Sequence, residues 1–405
     1  MHYDLIVIGM GLSGLMAAKT AIEMGKKVLI IGKGLGTLSI FSNTIDLLGT
    51  LPPTVKMKDG LSQWIHDHPD HPYGKVGVEK IEEALSSFNS FFPPPYTFQS
   101  KNETNSLVPT GVGTFRPTYL IPSTMIKGIS LKEKRTLIIG FEGYKDFYAT
   151  RLADLFNCRG ITLSIPEYPK TDMTVTALAR WMEKPSFRDF FSAEVKKQIQ
   201  NEELIGLPAV LGVNDPMGVR KDIEKKTGTS IFEIPTLPPS IPGMRIFNRF
   251  KVRLFQKGGN LLSGYSVSKV VLKRNQCEKI EVSHPPIANS YSADQFILAS
   301  GRFIGGGLIA HQNGISEPLF NLPVSQPGAH EEWFGKSFFD EHPIHRTGIL
   351  TDSSLRPIDG SGKPIFENVW VAGTILSGHH CLNEKSREGI EIATGYWAAK
   401  HALNA

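Results

Sequence analysis

The chain has 405 residues, of which 40% are hydrophobic and 20% are charged, and its formal net charge is +5. This length allows two or three domains, and this composition is ordinary for a soluble globular protein. Because lysines and arginines are interleaved with acidic residues, the charge balance indicates a solvated surface and argues against a nucleic-acid-binding face.

The first elements form the pattern of a βαβ unit of about 30 residues. A short apolar run rich in β-formers is followed by helix-compatible residues, by Gly25 as a stop, and by a second apolar run. In order, the pattern predicts a strand at 4–8, a helix at 15–24 and a strand at 28–31.

The next region alternates strand-like and helix-like segments, which favours an inserted α/β domain that acts as a cap or substrate domain. Its predicted elements are a helix at 78–91, strands at 135–140 and 161–165 with a helix at 144–156 between them, an apolar stretch at 207–213, a short helix, and a strand at 230–234.

The remaining elements are mostly strands, and long helices stand at the beginning and the end of this part. They are a helix at 242–255, a β-meander with strands at 265–272 and 279–282, a strand at 295–301, a strand at 368–373 and a helix at 389–403.

The sequence shows no secretory, membrane or cysteine-framework pattern. Asp4 precedes only a short apolar run, and no stretch approaches the roughly 20 apolar residues that span a bilayer. Cys158, Cys277 and Cys381 are far apart and form no C-x-x-C pair, which argues against disulfides, a zinc site or an iron–sulfur cluster held by this chain. We therefore expect a cytoplasmic protein whose membrane contact comes through partners.

Gly9, Gly11 and Gly14 form a G-x-G-x-x-G motif between the first predicted strand and helix. In this context the motif is typical of a phosphate-binding turn. Gly9 permits the tight turn, Gly11 lets the backbone approach a phosphate, and Gly14 allows close packing of helix on strand. The helix N-terminus then attracts the anion.

The end of the second strand lacks the acidic residue that usually binds an adenosine ribose. Gly32, Lys33 and Gly34 occupy that place, and no acidic residue lies between Glu23 and Asp46. Either the ligand has no adenosine, as in FMN, with Lys33 near its phosphate, or Lys33 binds the 2′-phosphate of NADP. A surface lysine without a ligand is the third reading. We favour FMN, with FAD as the alternative cofactor, because later segments have a flavin-type pattern.

Two later strands end in the pattern of flavoproteins with two dinucleotide-type domains. The first ends in Ala-Ser-Gly at Gly301, and the second ends in Ala-Gly at Gly373. A helix that includes Gly389 follows, and its positive end would stabilise a reduced, anionic flavin. Ser39 and Ser42 are candidates to donate to the flavin phosphate or ring, or else to cap a helix.

These patterns together predict an α/β fold of the two-dinucleotide-binding-domain flavoprotein (Rossmann-like) type with an inserted α/β cap domain. The flavin-binding domain is expected to be discontinuous. It comprises 1–50, 236–310 and 361–405; the cap is 51–235, and a loop-rich segment at 311–360 lies near the flavin.

Several longer segments resemble the B subunit of anaerobic glycerol-3-phosphate dehydrogenase. The resemblance covers most of the chain and is much more specific than the glycine motif. It is densest at 34–49 and 109–120, and it continues at 235–245, 298–308 and 347–357.

The resemblance implies an FMN-containing subunit that works with an FAD-containing catalytic subunit and an iron–sulfur subunit docked at the inner face of the membrane. Such a complex oxidises sn-glycerol 3-phosphate to dihydroxyacetone phosphate and passes electrons to quinone. The missing acidic residue after the second strand agrees with FMN. The sequence departs from the expected glycine-rich loop at His379-His380-Cys381.

Oxidation of a phosphorylated alcohol needs a base and a cationic clamp. Arg116 and Arg245 lie in Pro/Gly-rich motif segments, where they either bind a ligand or form structural ion pairs. His345 precedes Arg-Thr-Gly-Ile, which resembles a histidine-bearing loop near the flavin in fumarate-reductase-like flavoproteins. His345 either handles the substrate or a proton, or it is a loop histidine that is hydrogen-bonded to the backbone. We predict no metal at His379 and His380, since adjacent side chains point apart.

Three hypotheses about function remain open. The first is the FMN-containing subunit of a glycerol-3-phosphate:quinone oxidoreductase. The second is a self-sufficient FAD- or NADP-linked dehydrogenase or oxidase, and the third is a non-catalytic flavoprotein scaffold. Identification of the cofactor released on denaturation distinguishes them.

Overall fold

A computed structural model describes residues 1–166, 172–284 and 287–404. The chain forms two compact units, each assembled from separate stretches of sequence. The first contains Met1–Thr37, Lys58–Phe88 and Phe247–Ala405, and the second contains Leu38–Met57 and Asn89–Ile246.

The described helices and strands are numbered in chain order. The helices are α1 (Leu12–Glu23), α2 (Met57–Asp67), α3 (Pro72–Val76), α4 (Val78–Asn89), α5 (Ala149–Phe156), α6 (Val175–Met182), α7 (Pro185–Gln198), α8 (Pro216–Thr227), α9 (Ile241–Gln256), α10 (Cys381–Glu384) and α11 (Arg387–Asn404). The strands are β1 (His2–Ile8), β2 (Val28–Gly32), β3 (Phe98–Gln99), β4 (Ser106–Pro109), β5 (Phe115–Thr118), β6 (Ile121–Pro122), β7 (Thr136–Phe141), β8 (Arg159–Leu163), β9 (Leu204–Pro208), β10 (Ser230–Ile234), β11 (Asn260–Ser263), β12 (Ser266–Lys273), β13 (Gln276–His284), β14 (Ile287–Leu298), β15 (Ile309–His311), β16 (Gly314–Ser316), β17 (Val324–Ser325), β18 (Gly348–Ile349) and β19 (Val369–Val371).

The first unit is built on a seven-stranded sheet in the order β11-β2-β1-β14-β13-β12, with β19 also paired to β14. Five of these strands run in the same direction, namely β11, β2, β1, β14 and β19. β13 runs antiparallel to β14, and β12 runs antiparallel to β13, so these three form a meander. The carboxyl ends of β1, β2, β14 and β19 therefore lie at one edge, where an open α/β sheet binds its ligands.

The centre of this sheet is formed by strands that are apolar on both faces. Residues 5–8 of β1 and 28–31 of β2 are all buried, as expected for parallel strands covered on both sides. α1 and α11 are also largely buried, and they pack together closely, because a Cβ on Gly395 would lie 2.3 Å from the carbonyl oxygen of Ser13. Bulky apolar residues thus specify the sheet, and small residues set the helix spacing.

Residues 58–88 belong to the first unit, although the sequence analysis placed them in the inserted domain. The reason lies in tertiary contacts of α4. The Trp397 indole nitrogen donates to the Lys80 carbonyl oxygen at 2.8 Å, and the Tyr396 hydroxyl donates to Glu83 at 2.7 Å. Residues 38–50 and 236–246, expected in the flavin-binding domain, belong instead to the second unit.

The second unit contains a parallel four-stranded sheet in the order β10-β9-β7-β8. Its core combines the apolar strand residues with the inward faces of α5, α6, α7 and α8. This unit therefore has the alternating α/β architecture that the sequence predicts for the inserted region.

Most predicted elements are present, and the differences lie at their ends. The helix expected from Tyr144 begins only at Ala149, because residues 142–148 form turns and irregular backbone that ends in the non-helical N-cap Tyr148. The apolar stretch at 207–213 is a strand only as far as Pro208, which cannot donate to a sheet. The strand expected at 295–301 ends at Leu298, and the chain turns at Gly301 with φ +72°.

No helix within the described part of the chain is both long enough and apolar enough to cross a membrane. The three cysteines carry free thiols, and burial raises the pKa of Cys158 and of Cys381 to about 11 and that of Cys277 to about 12.

Candidate functional site

The glycine turn lies where β1 meets the ends of β2 and β14. The Gly9 amide donates to the Ile31 carbonyl oxygen at 2.7 Å, and the Ala299 amide donates to the Ile8 carbonyl oxygen at 2.8 Å. Gly9 adopts φ +119°, and a Cβ there would lie 2.1 Å from the Ala299 carbonyl oxygen. Only glycine fits this position.

Gly11 and Gly14 differ in what surrounds them. A Cβ on Gly14 would lie 2.0 Å from the Gly9 carbonyl oxygen, so Gly14 is required for packing. A Cβ on Gly11 would meet nothing within 4 Å. α1 begins directly after Gly11, without a side-chain cap and without an acidic residue in its first turn. The open space in front of this helix end suits an anion.

The end of β2 combines a steric restriction with a positive charge. A Cβ on Gly32 would lie 2.9 Å from the Met10 backbone nitrogen, so a side chain is excluded there. Lys33 follows and is exposed. Its ammonium nitrogen lies 4.0 Å from the Cβ position that Gly306 would have, in the glycine-rich loop after β14. Lys33 is therefore near the same edge of the sheet as the glycine turn.

Gly373 connects β19 with the beginning of α1. It adopts φ +86°, its amide donates to the Thr394 hydroxyl at 2.8 Å, and a Cβ there would lie 2.4 Å from the Ser13 hydroxyl. Gly301 has open space around it, since its Cβ position is 3.8 Å from the nearest hydroxyl oxygen, that of Thr374. Both glycines thus lie at the edge where the parallel strands end.

The first turns of α11 contain buried charges that the sequence analysis did not anticipate around Gly389. Arg387 forms an ion pair with Glu388, and the Thr37 hydroxyl donates to Glu391 at 3.2 Å. Burial raises the pKa of Glu391 to about 7. Because carboxylates already stand at this positive helix end, its field is partly compensated by the protein itself.

His345 lies in a cluster of histidines within the first unit. Its ring centroid is 4.7 Å from that of His380 and 5.7 Å from that of His342. Burial, then the neighbouring His380 and His342, lower the pKa of His345 below its ordinary value. The imidazole is consequently held in the neutral form, in which it is able to accept a proton.

Arg302 ties together the loops that carry these histidines. Its guanidinium donates to the backbone carbonyl oxygens of His345, of Leu376 at 3.0 Å and of His379 at 3.2 Å. Burial lowers the pKa of Arg302 to about 10, which still leaves it charged at neutral pH. Sequence reasoning missed this role, although Arg302 directly follows Gly301.

Glu384 is the centre of a second buried network. It accepts from the His380 amide at 2.8 Å and the Ser386 hydroxyl at 2.9 Å, and it lies 3.2 Å from His71 Nε2. Burial would raise the pKa of Glu384, but the hydrogen bonds, led by that of His71, hold it below its ordinary value. Burial lowers the pKa of His71. This network holds the start of α10, which directly follows His380, in place.

The polar groups at this edge fit a bound flavin. Among the described residues, several buried polar atoms of the first unit have no hydrogen-bond partner within the protein. They include the Ser300 hydroxyl, the Arg302 Nε, the His379 Nδ1 and one carboxylate oxygen each of Glu388 and Glu391. Buried polar atoms are normally paired. Together with the open space at Gly11, these atoms provide the donors and acceptors that a phosphate and a heteroaromatic ring require.

Ser39 and Ser42 belong to the second unit. Ser39 is the last residue of a short 3-10 turn (Gly36–Ser39), and its carbonyl oxygen accepts from the Ser240 amide at 2.8 Å. Ser39 therefore does not cap the N-terminus of that turn. The Ser42 hydroxyl lies 3.2 Å from that of Thr44. Both serines remain flavin-ligand proposals.

Arg116 and Arg245, also in the second unit, form ion pairs within it. Arg116 donates through Nε to Asp46 at 2.9 Å. Arg245 donates through both terminal nitrogens to Glu233, at 2.6 and 2.7 Å, and through Nε to the Gly212 carbonyl oxygen at 2.7 Å. Burial opposes the charge of Arg245, but Glu233 outweighs it and raises its pKa. These contacts favour the structural alternative for Arg245, whereas half-buried Arg116 stays a candidate ligand.

His379, His380 and Cys381 do not form a metal site in the structure. The ring of His379 is buried and its Nε2 lies 3.3 Å from the Thr374 carbonyl oxygen, while His380 Nδ1 accepts from the Asn383 amide at 3.3 Å. Throughout the residues with described positions, no three His, Cys, Asp or Glu side chains are grouped to hold a metal ion.

Comparison with known proteins places these features in a family. The FAD-binding-domain family matches residues 4–390. A Halobacterium salinarum protein, named as the probable B subunit of an anaerobic glycerol-3-phosphate dehydrogenase, is 30% identical over 99% of this chain and 98% of its own length. The B subunit of the Vibrio cholerae anaerobic glycerol-3-phosphate dehydrogenase is 30% identical over 100% of this chain and 97% of its own.

Among solved structures, the 3-ketosteroid delta1-dehydrogenase of Sterolibacterium denitrificans is 11% identical, with a TM-score of 0.45 over 100% of this chain and 99% of that one. The full-length sequence matches are closer, and they agree with the glycine turn and with the segments singled out in the sequence. The chain belongs to the FAD-binding-domain flavoproteins and, within them, to the family of the B subunit of anaerobic glycerol-3-phosphate dehydrogenase.

Proposed function

We propose that this chain is the FMN-containing subunit of an anaerobic glycerol-3-phosphate:quinone oxidoreductase. In this proposal it contributes to the oxidation of sn-glycerol 3-phosphate to dihydroxyacetone phosphate and passes electrons to partner subunits. The partners are an FAD-containing catalytic subunit and an iron–sulfur subunit that docks at the inner face of the membrane. The full-length similarity to B subunits of anaerobic glycerol-3-phosphate dehydrogenase supports the role in this complex, and the glycine turn followed by Gly32 and Lys33 supports FMN as the cofactor.

FMN is preferred over FAD although the matching family is described by FAD. An adenosine ribose needs an acceptor at the end of the second strand, and the backbone of Met10 excludes a side chain at Gly32. Lys33 is a cation, which suits a terminal phosphate and not a pair of ribose hydroxyls. An FMN phosphate in front of α1 would be bound by the backbone around Gly11, with Lys33 close by.

The residues of the chain prepare the site for proton and hydride transfer. A bound flavin supplies the hydride acceptor. His345 is the proposed proton acceptor, because its lowered pKa keeps the imidazole neutral. Arg302 holds the backbone of His345 and His379 in place. Arg116 is the proposed cationic ligand, and its ion pair with Asp46 fixes the direction of its guanidinium.

The cofactor test is direct. The protein is purified under native conditions and denatured, and the released cofactor is identified by chromatography and mass spectrometry. We expect FMN at close to one per chain. Release of FAD or NADP would instead support the self-sufficient enzyme, and protein without a cofactor would support the scaffold.

The activity test uses the partner subunits of the same organism. We expect oxidation of sn-glycerol 3-phosphate with a quinone acceptor when the subunits are combined. A combined preparation that loses no activity when this chain is omitted would contradict the proposal. The His345→Gln variant should bind flavin normally and lower kcat; an unchanged pH profile of kcat would remove His345 as the proton acceptor.

A further inference from the structure

The segment 329–346, called here the aromatic loop, exposes three phenylalanines within six positions. The exposed fractions are 55% for Phe334, 84% for Phe338 and 92% for Phe339. The rings of Phe338 and Phe339 are in contact, with centroids 5.2 Å apart, and Leu382, 55% exposed, precedes Asn383, whose side chain donates to Glu341 of the loop at 3.2 Å. Single exposed apolar residues are common on protein surfaces, but a contiguous group of this kind marks an interaction site.

The aromatic loop is held in shape by its own contacts. Trp333 is buried, and its carbonyl oxygen accepts from the Ile344 amide at 3.1 Å. His342 Nδ1 accepts from the Gly335 amide at 3.0 Å, and Asp340 accepts from the Ser337 amide at 2.8 Å. The loop therefore presents Phe338 and Phe339 from a fixed backbone, which lowers the entropy that a partner must remove on binding.

The rim of this apolar group is acidic. Glu331, Glu332, Asp340 and Glu341 are exposed, whereas the exposed lysine and arginine of the loop are Lys336 and Arg346, and Arg346 lies 3.7 Å from Glu384. An acidic rim repels an anionic lipid surface. In a twofold contact between two copies the same rim would face itself, which is unfavourable for like charges. The charge pattern favours a different protein with basic residues around an apolar pocket.

The position of the loop connects it with the candidate site. His342 belongs to the loop, lies 5.9 Å from the Phe334 ring, and is also 5.7 Å from the His345 ring. The carbonyl oxygen of His345 accepts from Arg302. A protein bound at the aromatic loop would therefore contact the region that carries the histidine cluster.

We propose that the aromatic loop, with Leu382, is the docking surface for a partner subunit of the same dehydrogenase. The partner presents an apolar pocket for Phe338 and Phe339, flanked by lysines or arginines that face the acidic rim. This inference rests on the proposed function, which requires partner subunits for onward electron transfer.

The test compares a loop variant with a matched control. The full chain carries an affinity tag, is co-expressed with the other subunits of the dehydrogenase from the same organism, and is purified; the affinity of the purified components is then measured by calorimetry. The loop variant is Phe338→Ser with Phe339→Ser. The control is Phe255→Ser, because Phe255 is 52% exposed and lies in α9 of the first unit.

We expect the loop variant to lose at least tenfold in affinity, with unchanged flavin content and melting temperature. The control should bind as the wild type does. A second variant, Glu331→Lys with Glu332→Lys, should slow association several-fold and reduce its dependence on salt.

Equal affinity of wild type and loop variant would overturn the docking surface and leave the proposed function intact. If the wild type itself does not bind the other subunits, both the docking surface and the proposed subunit role are wrong. The flavin content then tests only the proposed cofactor. Loop-dependent binding to phosphatidylglycerol vesicles, or a dimer that the loop variant dissociates, would overturn the partner assignment in favour of a lipid surface or a second copy.

Discussion

Buried charges are treated differently in the two units of this protein. In the second unit, Arg245 and Glu233 satisfy each other through two short hydrogen bonds. In the first unit, Arg302, Glu388 and Glu391 each retain a buried polar atom without a protein partner. Among the described residues of the second unit, the buried side-chain atoms without a partner, such as those of Asn105 and Ser192, belong to neutral groups.

This difference separates structural charges from those at a ligand site. Arg302, Glu388 and Glu391 each have a protein partner and one further buried polar atom without any, and such an atom in a native fold needs an explanation. Arg302 follows the end of β14, and Glu391 accepts a hydrogen bond from Thr37, which follows the end of β2, so both are tied to the edge that carries the glycine turn. The comparison predicts that removal of Arg245 changes stability, whereas substitution at Gly11 changes cofactor binding.

The largest expected effect is on stability, for Arg245→Met. The substitution leaves Glu233 buried without its cation, and the free energy of unfolding should fall by about 3 to 5 kcal/mol. Urea denaturation measures this change. The double variant Arg245→Met with Glu233→Gln removes both charges and should recover most of the loss.

The opposite result would reverse the interpretation of Arg245. If Arg245→Met keeps wild-type stability but raises KM for sn-glycerol 3-phosphate, then the ion pair with Glu233 is dispensable and the arginine binds substrate. The double variant distinguishes the two cases, because it cannot restore a lost substrate contact.

The next largest effect is expected on flavin binding by the Gly11→Val variant. The protein offers open space at this position, so the fold should tolerate valine while the phosphate loses its place. We expect the flavin dissociation constant to rise about a hundredfold or more, which corresponds to about 3 kcal/mol, with little change in the melting temperature of the flavin-free protein. Full flavin occupancy in this variant would contradict the assignment of the glycine turn.

Gly14→Val is the matched control. Its side chain would collide with the Gly9 carbonyl oxygen, so this variant should lose stability as well as flavin. Equal behaviour of the two variants would mean that the turn is required for the fold and not specifically for the phosphate.

The βαβ unit and its glycine turn could be predicted because both depend on residues that are close in sequence. Strands and helices with continuous apolar patterns, such as β1 and α1, follow from the same local rules. The prediction of the fold class was confirmed, and it rested on these local patterns. The differences lie at element ends, such as the start of α5 at Ala149, where turns that the apolar pattern does not indicate come first.

The buried networks could not be predicted, because they join distant positions. His71 meets Glu384 across 313 positions, and Arg302 meets the Leu376 carbonyl oxygen across 74. Nothing in a single sequence pairs such residues. For the same reason, the prediction from sequence assigned residues 58–88 to the inserted region. The contacts of α4 with Tyr396 and Trp397 join residues that are far apart in the sequence.

A moderate effect on stability is expected for Glu391→Gln, and it depends on pH. Burial raises the pKa of Glu391 from 4.5 to about 7, so the folded state binds this proton more tightly than the unfolded chain does. The resulting penalty grows as pH rises from about 4.5 to about 7 and is then constant. Glutamine avoids ionisation and still accepts a hydrogen bond from Thr37.

The variant should therefore exceed the wild type by about 3 kcal/mol in free energy of unfolding at pH 8 and by less than about 1 kcal/mol at pH 5. Denaturation of the flavin-free protein at both pH values measures this. A pH-independent difference would show that the carboxyl of Glu391 does not titrate in this range and that its second oxygen is compensated within the protein.

The smallest expected effect is that of Lys33→Glu on flavin retention. Lys33 is exposed, so its attraction for a phosphate is screened by water and is worth about 1 kcal/mol or less, and reversal of the charge about doubles the change. We expect a five- to tenfold rise in the flavin dissociation constant at low salt, shrinking as the salt concentration increases. Lys257→Glu makes the same charge change at an exposed position after α9 and should leave the constant unchanged. An equal rise in both variants would assign the effect to net charge, whereas no rise in either would return Lys33 to the solvated surface and remove the charge-based argument for a mononucleotide.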